Sequence, residues 1–381
     1  MSDSLLRTEK VTFSYSRKGA KVLDEMDIDI PVGKKTAILG SNGAGKSTLF
    51  SVLNALNKPA SGKVYYKDAP MSYSHSGKIR MRSEVSILFQ NPNEMMFKPY
   101  VEQDVAYGPE NMKLPKEEIE ERVQEALFAV GMEAYRKSPI MKLSYGQRKR
   151  VTLAGVLAMR PSVLIMDEPT AGLDPQMAYE VMEIAEQLNS SGVTVIMSSH
   201  DTDLVYSWAD EIRVLNSSKC VYSGIPEPFY EDYQLVQKAG LLLPSVYRMN
   251  RTFANLGKCE LEPYPHTQSQ LSVKISDRCV TDFGVMNVVK VDKDTDIPAL
   301  LASEGLEGLP IGIYGMSART ARNQAGMPVD FMYNGPENCI RKCLSGEDSV
   351  LLCDLIMVDK AVSSADFING NGYGKIDVRT I

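Results

Sequence analysis

Residues 40–47 read Gly40-Ser41-Asn42-Gly43-Ala44-Gly45-Lys46-Ser47, and this glycine-rich stretch decides the fold. It follows a short apolar strand predicted over residues 36–39 and precedes an apolar run that starts at Leu49. In that strand–loop–helix setting the spacing is the P-loop pattern. Glycines let successive backbone N–H groups point at phosphate oxygens, and the start of a helix adds the positive end of its dipole. The stretch therefore predicts a phosphate site, with Lys46 reaching the β- and γ-phosphates and Ser47 ligating Mg²⁺.

Two neighbouring carboxylates supply the second half of this predicted site. Residues 163–166 form an apolar strand that runs directly into Asp167 and Glu168. Ligands of α/β proteins bind at the carboxyl ends of the strands, so both side chains are placed to act on a bound nucleotide. Asp167 is expected to hold Mg²⁺ through water, and Glu168 to orient and deprotonate the attacking water.

Three further positions join the candidate site on weaker grounds. Gln90, after the predicted strand 85–89, is placed to ligate Mg²⁺ or the attacking water. His200, after the predicted strand 193–199, is placed to contact the γ-phosphate, and Tyr15 is a candidate for stacking on adenine. Taken singly, each is better explained as a strand-end polar residue or a packing aromatic.

The bulk composition limits the class of protein. The chain has 381 residues, of which 44% are hydrophobic and 24% charged, as in globular proteins of roughly two or three domains. Its net charge of −6 argues against a dedicated nucleic-acid-binding domain. No apolar run approaches the roughly 18 residues of a membrane helix, and the N-terminus lacks the apolar core of a signal peptide, so we expect a cytosolic protein unless a partner holds it at a membrane. The six cysteines lie between Cys220 and Cys353 without a CxxC pair and are expected to be reduced and buried.

The hydrophobic pattern predicts an α/β fold in two domains. Strands alternate with helices over residues 5–249, and two of the strands are apolar on both faces, as in a parallel sheet covered by helices. Residues 250–270 indicate an irregular linker. A second alternation over residues 271–381 predicts a small accessory α/β domain. Its predicted strands are 285–291, 311–314, 329–333 and 350–353.

The stretch LSYGQRKR, residues 143–150, opens another helix. Ser144 and Gln147 stand three residues apart, ahead of an apolar-periodic run that begins at Val151, and this is the spacing of a capping box. A cap requires neither Tyr145 nor Gly146. The spacing alone therefore leaves open what this helix start binds.

These motifs follow one another as in a known family. The order P-loop, Gln90, LSYGQ, MDEPTAGLDP (166–175) and SSH (198–200) resembles the ATP-binding cassette family over residues 5–245. The resemblance implies a P-loop NTPase fold with a parallel core sheet, an antiparallel β subdomain and a helical subdomain. It also implies a head-to-tail dimer, with an identical chain or a sister subunit, that holds two ATP molecules with Mg²⁺. The nucleotide-binding residues that it implies are Tyr15, Gly40, Ser41, Asn42, Gly43, Ala44, Gly45, Lys46, Ser47 and Thr48.

The same resemblance gives the helix start of LSYGQRKR a role across the dimer. It implies that Ser144 and Gly146 grip the γ-phosphate bound by the P-loop of the other subunit, with Tyr145 and Gln147 in the same signature. Asp174 resembles the loop that signals across such a dimer. Tyr145 departs from the general family pattern, which has glycine there, whereas the serine and the following glycine remain.

Longer stretches narrow the resemblance. FQNPNEMMF (89–97), DVAYGPENMKLP (104–115), AGVLAMRPSVLIMDEPTAGLDP (154–175) and HDTDLVYSWADEI (200–212) are similar to the energy-coupling-factor ATPases of vitamin and metal importers. The last stretch, together with LSYGQRKR, is most similar to the cobalt-importing branch.

This narrower resemblance implies partners and a location. The partners are a transmembrane coupling protein and a substrate-binding membrane component, with no nucleic acid, and the location is the cytoplasmic face of the cell membrane. Met95, Met96 and Phe97 would receive a helix of the coupling protein in a greasy groove, and ordinary core packing is the alternative for these side chains.

Two questions stay open on the sequence. The function implied is ATP hydrolysis that powers import of cobalt or nickel, and the alternatives are a vitamin as cargo or a soluble cassette ATPase that acts as an assembly scaffold. In the accessory domain, an anion or small-ligand site is one hypothesis, and structural turns and caps are the other. The residues concerned lie at strand ends and in the following helix: Gly315, Met316, Ser317, Arg319, Arg322, Asn334 and Asp354.

Overall fold

The computed structural model describes residues 4–16, 18–276 and 283–381, so Cys279 lies outside the described residues. The chain folds into two units. The first comprises residues 1–177 and 192–243, and the second comprises residues 178–191 and 244–381. The predicted linker and the predicted accessory domain both fall in the second unit, which also takes in a stretch from the middle of the predicted first domain.

The strands of the first unit account for its two sheets. They are β1 (Ser4–Phe13), β2 (Leu23–Pro31), β3 (Lys35–Leu39), β4 (Ser61–Tyr66), β5 (Ala69–Pro70), β6 (Val85–Leu88), β7 (Val163–Asp167), β8 (Thr194–Ser198), β9 (Glu211–Asn216) and β10 (Lys219–Gly224). Within the described residues, one sheet has the order β2-β1-β4-β5 and is antiparallel. The other has the order β10-β9-β3-β8-β7-β6, and only its edge strand β10 pairs antiparallel.

The central strands of the larger sheet are buried at every position, as the continuous apolar runs predict. This holds for β3, β7 and β8. Their burial on both faces is typical of a parallel sheet that helices cover. Because β3, β8 and β7 are neighbours and parallel, their carboxyl ends lie side by side at one edge of the sheet.

The helices of the first unit include the one predicted after the P-loop and the one predicted by the capping box at Ser144. They are α1 (Lys46–Leu53), α2 (His75–Glu84), α3 (Val101–Asn111), α4 (Lys116–Ala129), α5 (Tyr145–Leu157), α7 (Thr202–Trp208), α8 (Pro226–Glu231) and α9 (Tyr233–Lys238), together with the start of α6 (Pro175–Ser190), of which residues 175–177 belong to this unit. Gly131 follows the end of α4 with φ 63°, as a glycine C-cap requires. The first unit thus has the parallel sheet, the antiparallel sheet and the helical segment that the fold class demands. None of the helices in the described part of the chain is both long enough and apolar enough to cross a membrane.

The sequence EIRVLNSSKCVYSG, residues 211–224, predicts a hairpin around Asn216, Ser217 and Ser218, and a two-residue turn joins β9 to β10 at that position. Asn216 and Lys219 pair across it, and Ser217 and Ser218 have φ values of 50° and 69°. Positive φ at both central residues is the mark of a type I′ turn, whose twist matches that of an antiparallel hairpin. The predicted hairpin is confirmed.

The second unit is a small parallel sheet with helices. From Ala178 onward α6 belongs to this unit. The remaining elements are α10 (Ser245–Asn255), α11 (Gln268–Lys274), β11 (Val285–Val291), α12 (Ile297–Ser303), β12 (Ile311–Tyr314), α13 (Met316–Ala325), α14 (Gly335–Leu344), β13 (Ser349–Asp354), α15 (Val358–Ser363), α16 (Asp366–Gly370) and β14 (Asp377–Thr380). The strand order is β12-β13-β11-β14, and every pairing is parallel.

Alternate residues of this second sheet enter two separate cores, one on each face. Val288 and Leu351 pack in one cluster, and Val289 and Leu352 pack in the other. The predicted strands 285–291, 311–314 and 350–353 are confirmed to within a residue at each end.

The predicted strand 329–333 is wrong. Only Phe331 of this segment makes a β-bridge, to Gly312. The Asp330 carboxylate accepts a hydrogen bond from Ile311 N, so this side chain caps the start of the neighbouring strand β12. Asn334 then takes a left-handed conformation with φ 52°, and α14 begins at the next residue. The segment is therefore an edge turn.

Candidate active site

The P-loop connects β3 to α1 and has the conformation that its glycines allow. Gly40, Gly43 and Gly45 have φ values of 145°, 82° and 103°. A Cβ on Gly40 would collide with the backbone carbonyl of Leu215, and one on Gly45 would lie 2.8 Å from Val22 O. Larger residues at these two positions would force the loop out of this shape.

Lys46 is buried in the first turn of α1. Its ammonium donates hydrogen bonds to Gly40 O at 2.7 Å and Ser41 O at 3.3 Å. The same Nζ lies 4.0 Å from Glu168 Oε1. The lysine thus joins the loop to one of the predicted carboxylates, although the two are far apart in the sequence.

Ser198, at the end of β8, holds both carboxylate residues, and the sequence analysis missed it. Its hydroxyl donates to Asp167 Oδ1 at 2.6 Å and accepts from Glu168 N at 2.9 Å. The only sequence signal was its place two residues before His200 in the SSH stretch. A serine bonded in this way fixes the end of β7 against the end of β8.

His200 lies beside the Glu168 carboxylate. Its Nδ1 is 2.9 Å from Glu168 Oε2. The His200 side chain is 71% exposed, whereas that of Glu168 is 11% exposed. The imidazole therefore covers a buried carboxylate from the solvent side and is free to reach a ligand.

Lys149 is a second residue that the sequence analysis missed. It lies in the second turn of α5 with 1% of its surface exposed, and its Nζ donates to Glu168 O at 3.3 Å and Ala171 O at 3.4 Å. Burial lowers the pKa of this lysine to about 8, and the charges of Glu168 and Asp167 act in the opposite direction. The sequence signal was the run QRKR, residues 147–150, in which Lys149 is buried whereas Arg148 and Arg150 are half-buried.

Tyr15 and Gln90 lie at the edges of this arrangement. The Tyr15 hydroxyl is 2.9 Å from Thr48 Oγ1, and its ring is 71% exposed with an edge-to-face contact to Phe13. The backbone carbonyl of Gln90 accepts from the Tyr145 hydroxyl at 3.4 Å. Among the described residues the Gln90 side chain makes no hydrogen bond to Asp167 or Ser47, so the structure does not bring these three predicted magnesium ligands into direct contact.

The start of α5 is a capping box, which confirms the prediction from the spacing. Ser144 Oγ accepts from Gln147 N at 3.2 Å, and Gln147 Oε1 accepts from Ser144 N at 2.9 Å. Tyr145, the departure from the general family pattern, lies with its ring 3.4 Å from the site of a Cβ on Gly172. Its aromatic ring thus packs against the turn that follows Glu168.

Met177 joins the LSYGQ helix start to the segment that contains Asp174. Its side chain occupies the space that a Cβ on Gly146 would need. Its backbone N–H donates to Asp174 Oδ1 at 2.9 Å, which caps the start of α6. The predicted signature and the predicted signalling residue are therefore neighbours, through a methionine that no motif indicated.

The donor atoms fit a nucleotide with Mg²⁺. The backbone N–H groups of the P-loop and the Lys46 ammonium suit phosphate, and the oxygens of Ser47, Gln90 and Asp167 are of the hard type that Mg²⁺ prefers. Within the described residues no group of three or more His, Cys, Asp or Glu side chains could hold a metal by itself. Mg²⁺ is commonly bound by one or two protein oxygens together with phosphate groups, and the oxygens of Ser47 and Asp167 are of that type.

The buried cysteines of the second unit fit the expectation of reduced structural thiols. Cys339, Cys343 and Cys353 are buried and free, whereas Cys220 and Cys259 are free but half-buried, so the expectation of burial is wrong for those two. Burial raises the pKa of Cys339 to about 12 and that of Cys343 to about 11. Thiols held protonated in this way are poor nucleophiles and poor metal ligands.

The N-terminus of α13 in the second unit, a hypothetical anion site, is occupied by the side chains of the protein. Asp354 accepts from Ser317 N at 3.0 Å and Ala318 N at 2.8 Å. Glu183 Oε1 accepts from Gly315 N at 2.9 Å, and its two oxygens pair with the Arg319 guanidinium. The structure therefore favours the second hypothesis, structural caps, at this helix start.

The other residues of that hypothesis have structural roles as well. Met316 is the first residue of α13, and its backbone N–H also acts on the Asp354 carboxylate. Arg322 donates to Asn323 Oδ1 at 3.1 Å, and Asn334 is the left-handed residue before α14.

Arg319→Met should destabilise the second unit, because it leaves the Glu183 carboxylate buried without its cation. Burial already raises the pKa of Glu183, and Arg319 opposes that shift, so the variant would raise the pKa further. We expect the free energy of unfolding to fall by about 3 kcal/mol, measured by urea titration. Arg341→Met, at an exposed position on α14, is the control and should change it by less than about 0.5 kcal/mol. Equal effects of the two variants would contradict the structural role of the pair.

Ser198→Ala should lower the free energy of unfolding by about 2 kcal/mol, since the buried Glu168 N–H and Asp167 Oδ1 both lose their partner. Thermal and urea unfolding measure the change. Ser207→Ala removes a hydroxyl from an exposed position on α7, where its one hydrogen bond within the described part of the chain is to Leu204 O, and should be nearly neutral. A neutral Ser198→Ala would mean that the two strand ends hold each other without this hydroxyl.

Comparison with known proteins agrees with the geometry. The family profile described as ABC transporter matches residues 23–171. The energy-coupling factor transporter ATP-binding protein EcfA2 of Methanospirillum hungatei is 32% identical over 391 residues, which cover 100% of this chain and 97% of the relative. The energy-coupling factor transporter ATP-binding protein EcfA of Methanocaldococcus jannaschii is 44% identical over 242 residues, which cover 64% of this chain and 86% of the relative.

Solved structures show the same fold for part of the chain. CbiO1 of Clostridium perfringens, described as part of the ABC transporter complex CbiONQ, is 39% identical with a TM-score of 0.57, over 65% of this chain and 99% of its own. The dimeric ATP-binding cassette MJ0796, bound to ADP and Pi, is 24% identical with a TM-score of 0.53, over 58% of this chain and 98% of its own, and shows the fold.

The match to the Methanospirillum protein runs through the second unit as well as the first, and the P-loop, the carboxylates and the capped signature helix stand together in the structure. The chain therefore belongs to the ATP-binding cassette family, as an ATP-hydrolysing, energy-coupling factor transporter ATP-binding protein.

Proposed function

We propose that this chain hydrolyses ATP on the cytoplasmic face of the cell membrane to power the uptake of cobalt, with nickel as a second metal cargo. It does so in a head-to-tail pair with a second cassette subunit, identical or sister, and in complex with a transmembrane coupling protein and a substrate-binding membrane component. The observation that carries the catalytic part is the position of the Glu168 carboxylate, which lies 2.9 Å from His200 Nδ1 and 4.0 Å from Lys46 Nζ.

In this proposal each side chain acts on the γ-phosphate or on the water that attacks it. Lys46 neutralises phosphate charge, and His200 contacts the γ-phosphate while it orients Glu168. Glu168 accepts a proton from the water as the water oxygen bonds to the γ-phosphorus and the bond to ADP breaks. Mg²⁺, held by Ser47, Asp167 and Gln90 around the phosphates, would supply positive charge to the leaving group.

The capping box leaves Ser144 able to serve a phosphate of the second subunit. Its oxygen accepts from Gln147 N, whereas its hydroxyl proton remains to be donated, since a serine hydroxyl both donates and accepts. Ser144 is exposed, and the first N–H groups of α5 point the same way as the positive end of the helix dipole. ATP bound between two chains would then join the P-loop of one chain to the signature of the other.

Exposed apolar side chains support a membrane partner. Phe97 is 64% exposed, and its ring contacts that of Tyr107. Met141 is 84% exposed and follows Pro139, which pairs with Tyr100. Met95, in contrast, is half-buried, with its sulfur 3.2 Å from Phe89 N. Of the three residues proposed to line the groove, Phe97 has the exposure that contact with a coupling helix needs. Met95 instead stabilises the loop that follows β6 through its contact with Phe89 N.

The choice of cobalt rests on similarity. The stretches 143–150 and 200–212 resemble the cobalt-importing branch, and the 39% identity to CbiO1 of Clostridium perfringens, part of the complex CbiONQ, supports it. The cassette does not touch the cargo in this mechanism, so a vitamin importer and a soluble scaffold remain outcomes of the experiment below.

Glu168→Gln should retain ATP binding and lose turnover, because the amide cannot take the proton from water. We expect kcat to fall at least about a hundredfold, with the ATP dissociation constant within about threefold of wild type. The variant should also accumulate as an ATP-bound dimer, which size-exclusion chromatography with light scattering detects. Glu117→Gln makes the same change at an exposed position on α4 and should leave both constants unaltered. Normal hydrolysis by Glu168→Gln would refute the assigned base.

ATP-driven uptake of cobalt and nickel should be observed in vesicles that contain this chain and the membrane proteins that copurify with it. The uptake should be lost in Glu168→Gln and retained in Glu117→Gln. Uptake of a vitamin with neither metal transported would replace the cargo. Copurification of soluble proteins only would favour the scaffold function.

A further inference from the structure

Glu168 has a left-handed backbone conformation, which is uncommon for a residue other than glycine. Its φ is 46°, in the left-handed region. Such a conformation costs a residue other than glycine on the order of 1–2 kcal/mol, and it persists where neighbouring groups over-determine it. The hydrogen-bond partners of the Glu168 backbone therefore decide where its carboxylate lies.

The Glu168 backbone is held at both of its polar groups. On one side its N–H donates to Ser198 Oγ at 2.9 Å. On the other side its carbonyl accepts from Ala171 N at 3.1 Å and from Lys149 Nζ at 3.3 Å. Lys149 also reaches Ala171 O at 3.4 Å, so one ammonium spans the turn that follows the catalytic carboxylate.

Burying a lysine in this place is expensive, and ordinary packing does not require it. Lys149 is 1% exposed, its hydrogen-bond partners are neutral carbonyls, and an apolar chain of the same length would fill the same space. Lys149 also lies where a movement of α5 would be transmitted to the turn of Glu168. Lys149 lies five residues after Ser144, the N-cap of α5, so these two residues are about 7.5 Å apart along the helix axis.

We propose that Lys149 is a positioning residue that ties the signature helix α5 to the turn of Glu168. Within one chain, the helix that grips the nucleotide of the second site is thereby bonded to the base of the first site. When Ser144 closes onto the partner's ATP, α5 would push the Lys149 ammonium against the Glu168 carbonyl. This contact would place the Glu168 carboxylate to accept the proton of the attacking water. The inference rests on the proposed roles of Glu168 and Ser144.

Lys149→Met, in the full chain, should separate catalysis from binding. Methionine retains the length and bulk of the lysine stem and removes its donors. We expect kcat for ATP hydrolysis to fall at least tenfold per nucleotide-binding site, counted by titration with radiolabelled ATP, with KM within twofold of wild type. Lys149→Arg, which retains cationic donors, should recover at least a third of the wild-type kcat. Lys137→Met removes a lysine from an exposed position and should alter neither constant.

A double-mutant cycle distinguishes action through Glu168 from an independent effect on the fold. If Lys149 acts by placing the carboxylate, Lys149→Met should slow single-turnover hydrolysis less than twofold in a Glu168→Gln background. A tenfold loss in both backgrounds would overturn the proposal, as would an unchanged kcat in the single variant. If Lys149→Met yields too few binding sites to titrate, Lys149→Gln, whose donor falls short of both carbonyls, takes its place with the same expectations.

The two proposals fail in different ways. Normal turnover by Glu168→Gln would show that Glu168 is not the base. Lys149 would then have no catalytic group to position. Loss of turnover in Glu168→Gln with full activity in Lys149→Met would retain the base and overturn the positioning role alone.

Discussion

The left-handed conformation of Glu168 is the constraint on which the rest of the site depends. Its N–H is fixed by Ser198 from β8, and its carbonyl by Ala171 and Lys149, the latter from α5. The carboxylate lies beside Lys46 and His200 only while these elements are in place. The strain of one residue is thus distributed over the sheet and the signature helix, and the site is preorganised before any ligand binds.

The order of the central strands explains why these groups meet. β3 leads into the P-loop, β8 into His200, and β7 into the two carboxylates, and the three strands are parallel neighbours. Their burial on both faces leaves the carboxyl ends as the place where polar side chains reach solvent. In the second unit the end of β13 likewise places a polar side chain, Asp354, at the edge of the sheet. There the Asp354 carboxylate itself binds the N–H groups at the start of α13.

What could be predicted from the sequence was set by local interactions. The P-loop, the capping box of α5 and the turn at Ser217 depend on residues close together in the chain, and each has a recognisable spacing. Ser198, Lys149 and Met177 were missed because their partners come from other elements, as when Ser198 bonds Asp167 across 31 residues. Glu183 and Gly315, 132 residues apart, are the extreme case, and the hypothesis of an anion site in the second unit lacked this partner. The alternation at 329–333 resembled a strand, but a strand needs a continuous neighbour, and only Phe331 has one.

The central claim is that one chain divides its work between two nucleotide sites, with Glu168 acting on its own P-loop and Ser144 on that of its partner. A crystal structure of the Glu168→Gln variant with ATP and Mg²⁺ tests it most directly. We predict two nucleotides between two cassettes, with Ser144 Oγ about 3 Å from a γ-phosphate oxygen held by the opposite P-loop. A structure with ATP on each P-loop and Ser144 of both chains facing solvent would contradict the account.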